Sequence, residues 1–297
     1  MLGLFGKKAD IDTKHRSNVK YALRRLLRNK YNVIGGLIVL LFILCAIGAP
    51  LISPFQPNKI DLGSSLNSPG GKHLLGTDKL GRDMLSRIIY GSSVSLTVGI
   101  GAVGLAFVIG CPLGLFAGFV KGKLGTAIMR FMDALWSLPS LILALSIAAV
   151  LGAGLRNIIL AVGITFTPAF ARLMYGQVLV VREEVYVRAV RALGASNFRL
   201  LFGHIFPNCL APLIVYSSLL AAQAIIAEAS LSFLGIGVVP PQAAWGSMLR
   251  EGYPYIRVAP WLAIFPGLAV FLLVLGLNFL GDGLRDALDV RMVQKAR

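Results

Sequence analysis

Two long uncharged apolar runs decide most of what this chain can fold into: 33–52, with 20 residues, and 88–120, with 33. A helix rises 1.5 Å per residue, so about 20 apolar residues cross a hydrocarbon core of about 30 Å. Similar runs follow at 134–155, 157–180, 210–234 and 258–281. The expected fold class is an all-α polytopic membrane protein with about six transmembrane helices. Composition agrees: 56% of the 297 residues are hydrophobic, 14% are charged and the mean hydropathy is +0.76, too apolar for a soluble domain of this length.

The net charge of +16 sits in clusters between the apolar runs and forms no single basic face, so membrane topology explains it and a nucleic-acid partner is not implied. Residues 1–30 carry nine Lys or Arg and are placed in the cytoplasm. With alternating sides from there, cytoplasmic segments hold 20 of the 29 Lys and Arg, external segments hold eight, and Arg172 is left within a span. The expected segments are a cytoplasmic basic stretch 1–30, a first transmembrane helix 31–52 and an external loop 53–90. A five-helix core 91–281 with a cytoplasmic loop 182–209 and a cytoplasmic tail 282–297 complete the chain. The first run is longer than a signal-peptide core, and Pro50 sits beside its small-residue candidate cleavage site, so it is read as an uncleaved span.

Run 88–120 exceeds one span, so part of it is expected to lie along the interface. Within it Gly110, Gly114 and Gly118 recur every four residues and line one helix face, which lets another helix approach closely. The stretch from Gly99 through Gly101 to Gly104 matches a dinucleotide fingerprint, but no strand precedes it and it lies at bilayer depth, so that reading is rejected. Arg172 interrupts the fourth span, either snorkelling to the cytoplasmic interface or contacting a substrate. Glu228 in the fifth span is either functional or a hydrogen bonder between helices. Trp245 and Trp261 are expected in an interfacial belt. Asp78, Arg82 and Asp83 read as ion pairs that fix the external loop.

Segment 185–208, VYVRAVRALGASNFRLLFGHIFPN, is polar and basic between two apolar runs. Its pattern is a helix of about ten residues, a turn at Gly194, and a second helix that Ser196 caps and Pro207 stops. Such a helix-turn-helix suits docking into a groove of a soluble partner, with Val187, Val190 and Leu193 packing and Arg188, Arg191 and Arg199 on the rim. The competing reading is a basic loop that only fixes topology.

Several chemistries are missing from the sequence. No Gly-Lys pair is followed by Ser or Thr, so there is no P-loop, and no GxSxG elbow appears. His15, His73 and His204 are scattered, and Cys45, Cys111 and Cys209 are isolated in or beside apolar segments, so neither metal nor disulfide is indicated. The chain is not expected to be an enzyme.

Three stretches carry a family resemblance. RAVRALGASNFRLLFGHIFPN resembles an EAA loop, with Arg188-Ala189-Val190 at the triplet, Gly194 at the turn and Pro207 at the end. HLLGTDKLGRDMLSRIIYG and EASLSFLGIGVVPPQAAWGSML resemble further stretches of the same type of subunit. The chain thus resembles the inner-membrane permease subunit of an ABC importer of the dipeptide, oligopeptide and nickel family, the C-type subunit. The resemblance implies the type I permease fold with cytoplasmic coupling helices, in which Val187, Arg188, Ala189, Val190, Arg191, Leu193, Gly194, Ala195, Ser196 and Pro207 couple to an ATPase. It further implies a homologous second permease subunit, two P-loop ATPase subunits that hold ATP and Mg, and an extracytoplasmic solute-binding protein. This chain would bind no cofactor and would sit in a bacterial or archaeal inner membrane with both termini in the cytoplasm. Di- or oligopeptides are the expected cargo, with glutathione-like peptides and chelated nickel open. Arg188 departs from the acidic triplet and stands one turn from Glu184, so an intramolecular pair is a competing use. An ion-coupled secondary transporter is the alternative of another class; it would need midplane charges, for which only Arg172 and Glu228 offer themselves.

Overall fold

The computed structural model describes residues 29–120 and 122–288; the expectations for the basic N-terminal stretch, for Lys121 and for the end of the tail lie outside the described residues. Helix α1 (Lys30–Ile52) is capped by Asn29, whose side chain accepts the Tyr31 N–H at 3.1 Å. One face presents Gly35, where an added Cβ would lie 2.5 Å from Phe279 Cβ on the helix Trp261–Leu288. The other face is apolar and bare: Ile47 is 77% and Leu51 92% exposed, as suits contact with lipid.

Helix α2 (Met84–Phe119) runs 36 residues, about 54 Å, beginning where Asp83 accepts the Ser86 N–H at 2.8 Å. The expected surface-lying part of this run is corrected. Helix is unbroken from Met84 to Phe119, so the last seven residues assigned to the loop, 84–90, already belong to it, and its first turns are buried at Met84, Ser86, Arg87 and Ile89.

The single span expected at 134–155 is instead a pair of helices, α3 (Lys123–Trp136) and α4 (Ser140–Leu151), bent by 91°. Pro139 precedes α4 and removes an amide donor at the break, and the residue before a proline is pushed out of helical geometry. Alone, the 12 residues of α4 reach only about 18 Å. Helix α5 (Leu155–Val181) packs along α2 over the glycine strip. A Cβ on Gly110 would lie 2.8 Å from Phe170 Cβ, one on Gly118 would lie 2.9 Å from Val178 Cβ, and one on Gly114 would overlap the Ala171 carbonyl.

The short α6 (Val185–Ala192) leads through a turn and a π-helical segment (Arg199–Ile205) into α7 (Phe206–Phe233). Helices α8 (Trp245–Gly252) and α9 (Trp261–Leu288) follow. Five of these elements are long and apolar enough to cross a membrane, or six with the bent pair taken as one span.

The main core joins Val98, Ala102 and Cys111 of α2 to Ile158, Phe170 and Met174 of α5 and to Leu213 and Leu220 of α7. A second core gathers Phe42, Met84, Trp245, Met248, Leu262 and Leu273. The interfacial place expected of Trp245 is therefore corrected. Trp245 is fully buried, meets the Phe42 ring edge-on at 5.3 Å and donates its Nε1–H to the Ile88 carbonyl at 3.0 Å. Trp261 is half-buried and donates to the Thr77 carbonyl at 3.3 Å. Both indoles found carbonyl partners inside the fold, which satisfies the one polar atom a buried tryptophan carries.

Candidate functional site

Helix α6 is held against the end of α2. Arg182 donates to the Gly118 carbonyl at 2.6 Å, and the Arg191 guanidinium lies 6.0 Å from the Phe119 ring centroid. Val187 is fully buried in the main core, which also takes in Leu200, Ile205 and Cys209, and Val190 and Ala195 are half-buried on the same core. This corrects the docking stripe read as Val187, Val190 and Leu193: the two valines face inward and fasten the helix to the bundle. Those free to meet a partner are Leu193, 88% exposed, and Phe198, 73% exposed, with Arg188, Ala189, Arg191, Gly194, Ser196 and Arg199 exposed around them.

The turn is as the spacing suggests. Gly194 has φ +83°, and the Gly194 N–H donates to Arg191 O at 3.0 Å while the Ala195 N–H donates to Val190 O at 3.3 Å. These paired bonds form a left-handed helix stop that a Cβ would strain. The Ser196 hydroxyl then accepts the Arg199 N–H at 3.4 Å. Pro207 does not stop the second helix, a further correction. The Phe206 N–H donates five residues back to Leu201 O, and this wider π-turn lets the proline ring into a helix that continues to Phe233. The Arg188–Glu184 pair is not formed among the described residues; both side chains are exposed. Partial burial, with Glu184 adding to it, pushes the Tyr186 phenol above its ordinary pKa, so it is a neutral hydroxyl beside this surface.

Midway along the bundle a cavity of about 370 Å³ opens between α4, α5 and α7, lined in part by Ser140, Thr165, Phe166, Gln223, Ala227 and Ser230. Among the described residues its lining offers hydrogen-bonding groups and no charge. Arg172 and Glu228 do not line it. Arg172 is half exposed, pairs with Asp133 of α3 and stacks over the Trp136 ring at 4.9 Å, so it ties α5 to α3 just before the break. Glu228 is fully buried, and its Oε1 accepts from Ser232 at 2.8 Å on its own helix; Oε2 makes no hydrogen bond among the described residues. Thr165 and Gln223 went unnoticed in the sequence, where lone polar residues in an apolar run carry no motif.

At the end of the bundle away from α6, the loop ion pairs form. Arg82 meets Asp78 and Glu251 at 2.5 Å each, and Arg87 lies 3.7 and 3.9 Å from the same two carboxylates. Asp83 takes His73 Nδ1 at 2.9 Å and caps α2. Loop 53–83 is thereby clamped onto α8, a contact across some 170 residues that sequence spacing does not announce.

A family model described as "Binding-protein-dependent transport system inner membrane component" matches residues 110–294, and one described as "N-terminal TM domain of oligopeptide transport permease C" matches residues 17–69. The glutathione transport system permease protein GsiD of Pectobacterium atrosepticum is 43% identical over 91% of this chain and 90% of its own length. The di/tripeptide transport system permease protein DppC of Pseudomonas aeruginosa is 42% identical over 97% of both chains, and the dipeptide transport system permease protein DppC of Alkalihalophilus pseudofirmus is 42% identical over 91% and 89%. Among solved structures, a chain of the MetNI methionine ABC transporter in an inward-facing conformation aligns with a TM-score of 0.58 at 20% identity, over 69% of this chain and 97% of that one, a likeness of fold. With this coverage and these helices, the chain belongs to the family of binding-protein-dependent inner-membrane transport components and is a membrane-spanning permease subunit of an ABC importer.

Proposed function

We propose that this subunit, paired with a homologous second permease, forms the inner-membrane pathway by which di- or oligopeptides enter the cell. An extracytoplasmic solute-binding protein delivers the peptide at the α8 end. Two P-loop ATPases, which hold the ATP and Mg, dock at the α6 end, and both termini of the chain lie on that cytoplasmic side. The peptide cargo is supported by the relatives named for peptide, dipeptide and glutathione transport. The observation that carries the coupling is the split face of α6: Leu193 and Phe198 stand free among arginines while Val187 is locked into the bundle core.

That division suits a lever. An ATPase cleft grips Leu193, Phe198 and the arginine rim as an apolar anchor ringed by charge. Its movement reaches the core through Val187, Leu200 and Ile205, and then the 199–233 helix, whose 35 residues run on to Gln223 and Ser230 at the central cavity. A rigid helix under a packed contact transmits such a displacement. Nothing favours the ion-coupled alternative, since Arg172 is neutralised by Asp133 and Glu228 lies off the cavity.

The test is to purify a tagged chain from native membranes in mild detergent, identify what accompanies it and assay ATP hydrolysis. Recovery of a second permease and P-loop ATPases, with hydrolysis and ATP-dependent dipeptide uptake after reconstitution, is the expected result. A chain recovered alone and without ATPase activity, under conditions that keep a known importer intact, would overturn it.

A further inference from the structure

We propose that the cavity at the α8 end of the bundle receives the C-terminal carboxylate of the cargo peptide, with Lys79 and Arg250 as its cations; the proposal rests on the peptide-importer reading above. The cavity measures about 460 Å³, within the range of roughly 300–1,000 Å³ typical of small-molecule sites. Its wall includes Lys79, Ser232, Val238, Pro240, Arg250 and Tyr255.

Charge bookkeeping at this wall points to an anion. Glu251 is the carboxylate that lines the cavity, and it is already taken: Arg82 holds it at 2.5 Å, with Arg87 at 3.9 Å. Those two buried arginines and the two carboxylates Asp78 and Glu251 cancel. Lys79 and Arg250 have no carboxylate within 4.0 Å among the described residues, so the wall carries two uncompensated positive charges. Cations brought to one concave surface, one of them a guanidinium with its planar fork of donors, match a carboxylate.

Arg250 is also placed. Its guanidinium lies on the backbone of Gly235, where a Cβ would come within 2.8 Å of Arg250 Cζ, so the absence of a side chain at Gly235 leaves it room. Val238, Val239 and Pro240 add apolar lining, which offers a surface to a terminal side chain. Ser232 accepts the Val238 N–H at 3.4 Å while donating to Glu228, so the rim of the cavity is tied to α7 and through it to the coupling end. An acidic side chain of a docked protein would bring the same chemistry, but a concave site of this size fits a small peptide better than a protein rim contact does.

The test uses the detergent-solubilised transporter without its solute-binding protein. Saturation-transfer NMR is run with Ala-Ala and Ala-Ala-Ala and with their C-terminal amides. Transfer to the free peptides and not to the amides is expected, with Lys79→Gln and Arg250→Gln each weakening binding about tenfold, the loss of one charge-assisted hydrogen bond. Lys79→Arg should keep it. Lys79 is exposed and bonds to the fold through its backbone carbonyl, which accepts from Ser65 at 2.8 Å, so its variants keep the loop. Equal transfer to the amides, no transfer to either free peptide, or unchanged affinity in both Gln variants would overturn the site. So would variants that weaken only the binding of the solute-binding protein, which would make these cations a docking contact. Wild-type uptake of the same peptides into proteoliposomes, with the binding protein present, separates the two levels. If uptake persists while the site fails, this proposal alone falls; if no peptide is taken up, the importer reading falls with it.

Discussion

Gly91 and Trp245 occupy one space: an ideal Cβ on Gly91 would lie 2.6 Å from both Cδ1 and Nε1 of the indole. The contact joins the start of α2 to α8, and through the Phe42 ring it reaches α1. It is also where the indole N–H finds its carbonyl at Ile88. One missing methyl group thus lets three segments far apart in sequence close over the second core.

Gly91→Ala is expected to destabilise the protein by about 1–3 kcal/mol, the usual cost of overpacking a filled core. The indole would have to move and stretch its bond to Ile88. Gly104→Ala on the same helix is the control, because a Cβ there meets nothing within 4 Å. Thermal unfolding in detergent should separate the two variants, and equal midpoints would refute the packing argument.

Leu193 and Val187 should behave as opposites. Leu193→Ala touches no core, so folding is retained while ATPase recovery and ATP-dependent uptake fall about tenfold, as for an interface anchor. Val187→Ala leaves a cavity under α6 and should cost about 2 kcal/mol of stability, with the folded fraction still binding ATPase. Co-purification stoichiometry set against unfolding midpoint distinguishes them.

Much of this division was visible in the sequence, and the reasons for the rest are specific. Apolar run length announced the spans, the four-residue spacing of Gly110, Gly114 and Gly118 announced a close helix contact, and Gly194 and Ser196 announced the turn. The inward face of α6 was not announced, because eight residues of an amphipathic helix mark an apolar side without saying whether self or partner covers it. Nor was the break at Pro139: Pro112, Pro168, Pro212 and Pro266 all lie inside continuous helices here, so a proline in an apolar run does not foretell a bend. Trp245 has the same sequence appearance as an interfacial tryptophan, and only the gap at Gly91 and the carbonyl of Ile88 make it a core residue. The partner of Arg172 was beyond reach, since Asp133 stands 39 residues away on another helix.

Gly194→Leu should abolish ATP-dependent uptake while the protein remains in the membrane at normal levels. The φ of +83° costs a side chain about 1–2 kcal/mol, and open space around the position means that strain, not collision, is the whole effect. Gly194→Asn, which tolerates this conformation, should keep most of the uptake. Normal uptake by the Leu variant would remove the turn from the coupling mechanism.

Glu228→Gln tests whether a buried acid in a span serves the structure or the cargo. The carboxylate lies off the central cavity and accepts from Ser232, which in turn accepts the Val238 N–H. A glutamine keeps one oxygen for Ser232 but sets an amide where the unpartnered Oε2 was, turning an acceptor into two donors inside the fold. The expected outcome is a lower unfolding midpoint or a lower yield of assembled complex, with the order of preference among competing peptides unchanged. Ser232→Ala should reproduce the loss of stability, because it cuts the same chain of bonds from the other side. Altered peptide selectivity in a fully assembled Glu228→Gln complex would instead make this carboxylate a contact of the cargo.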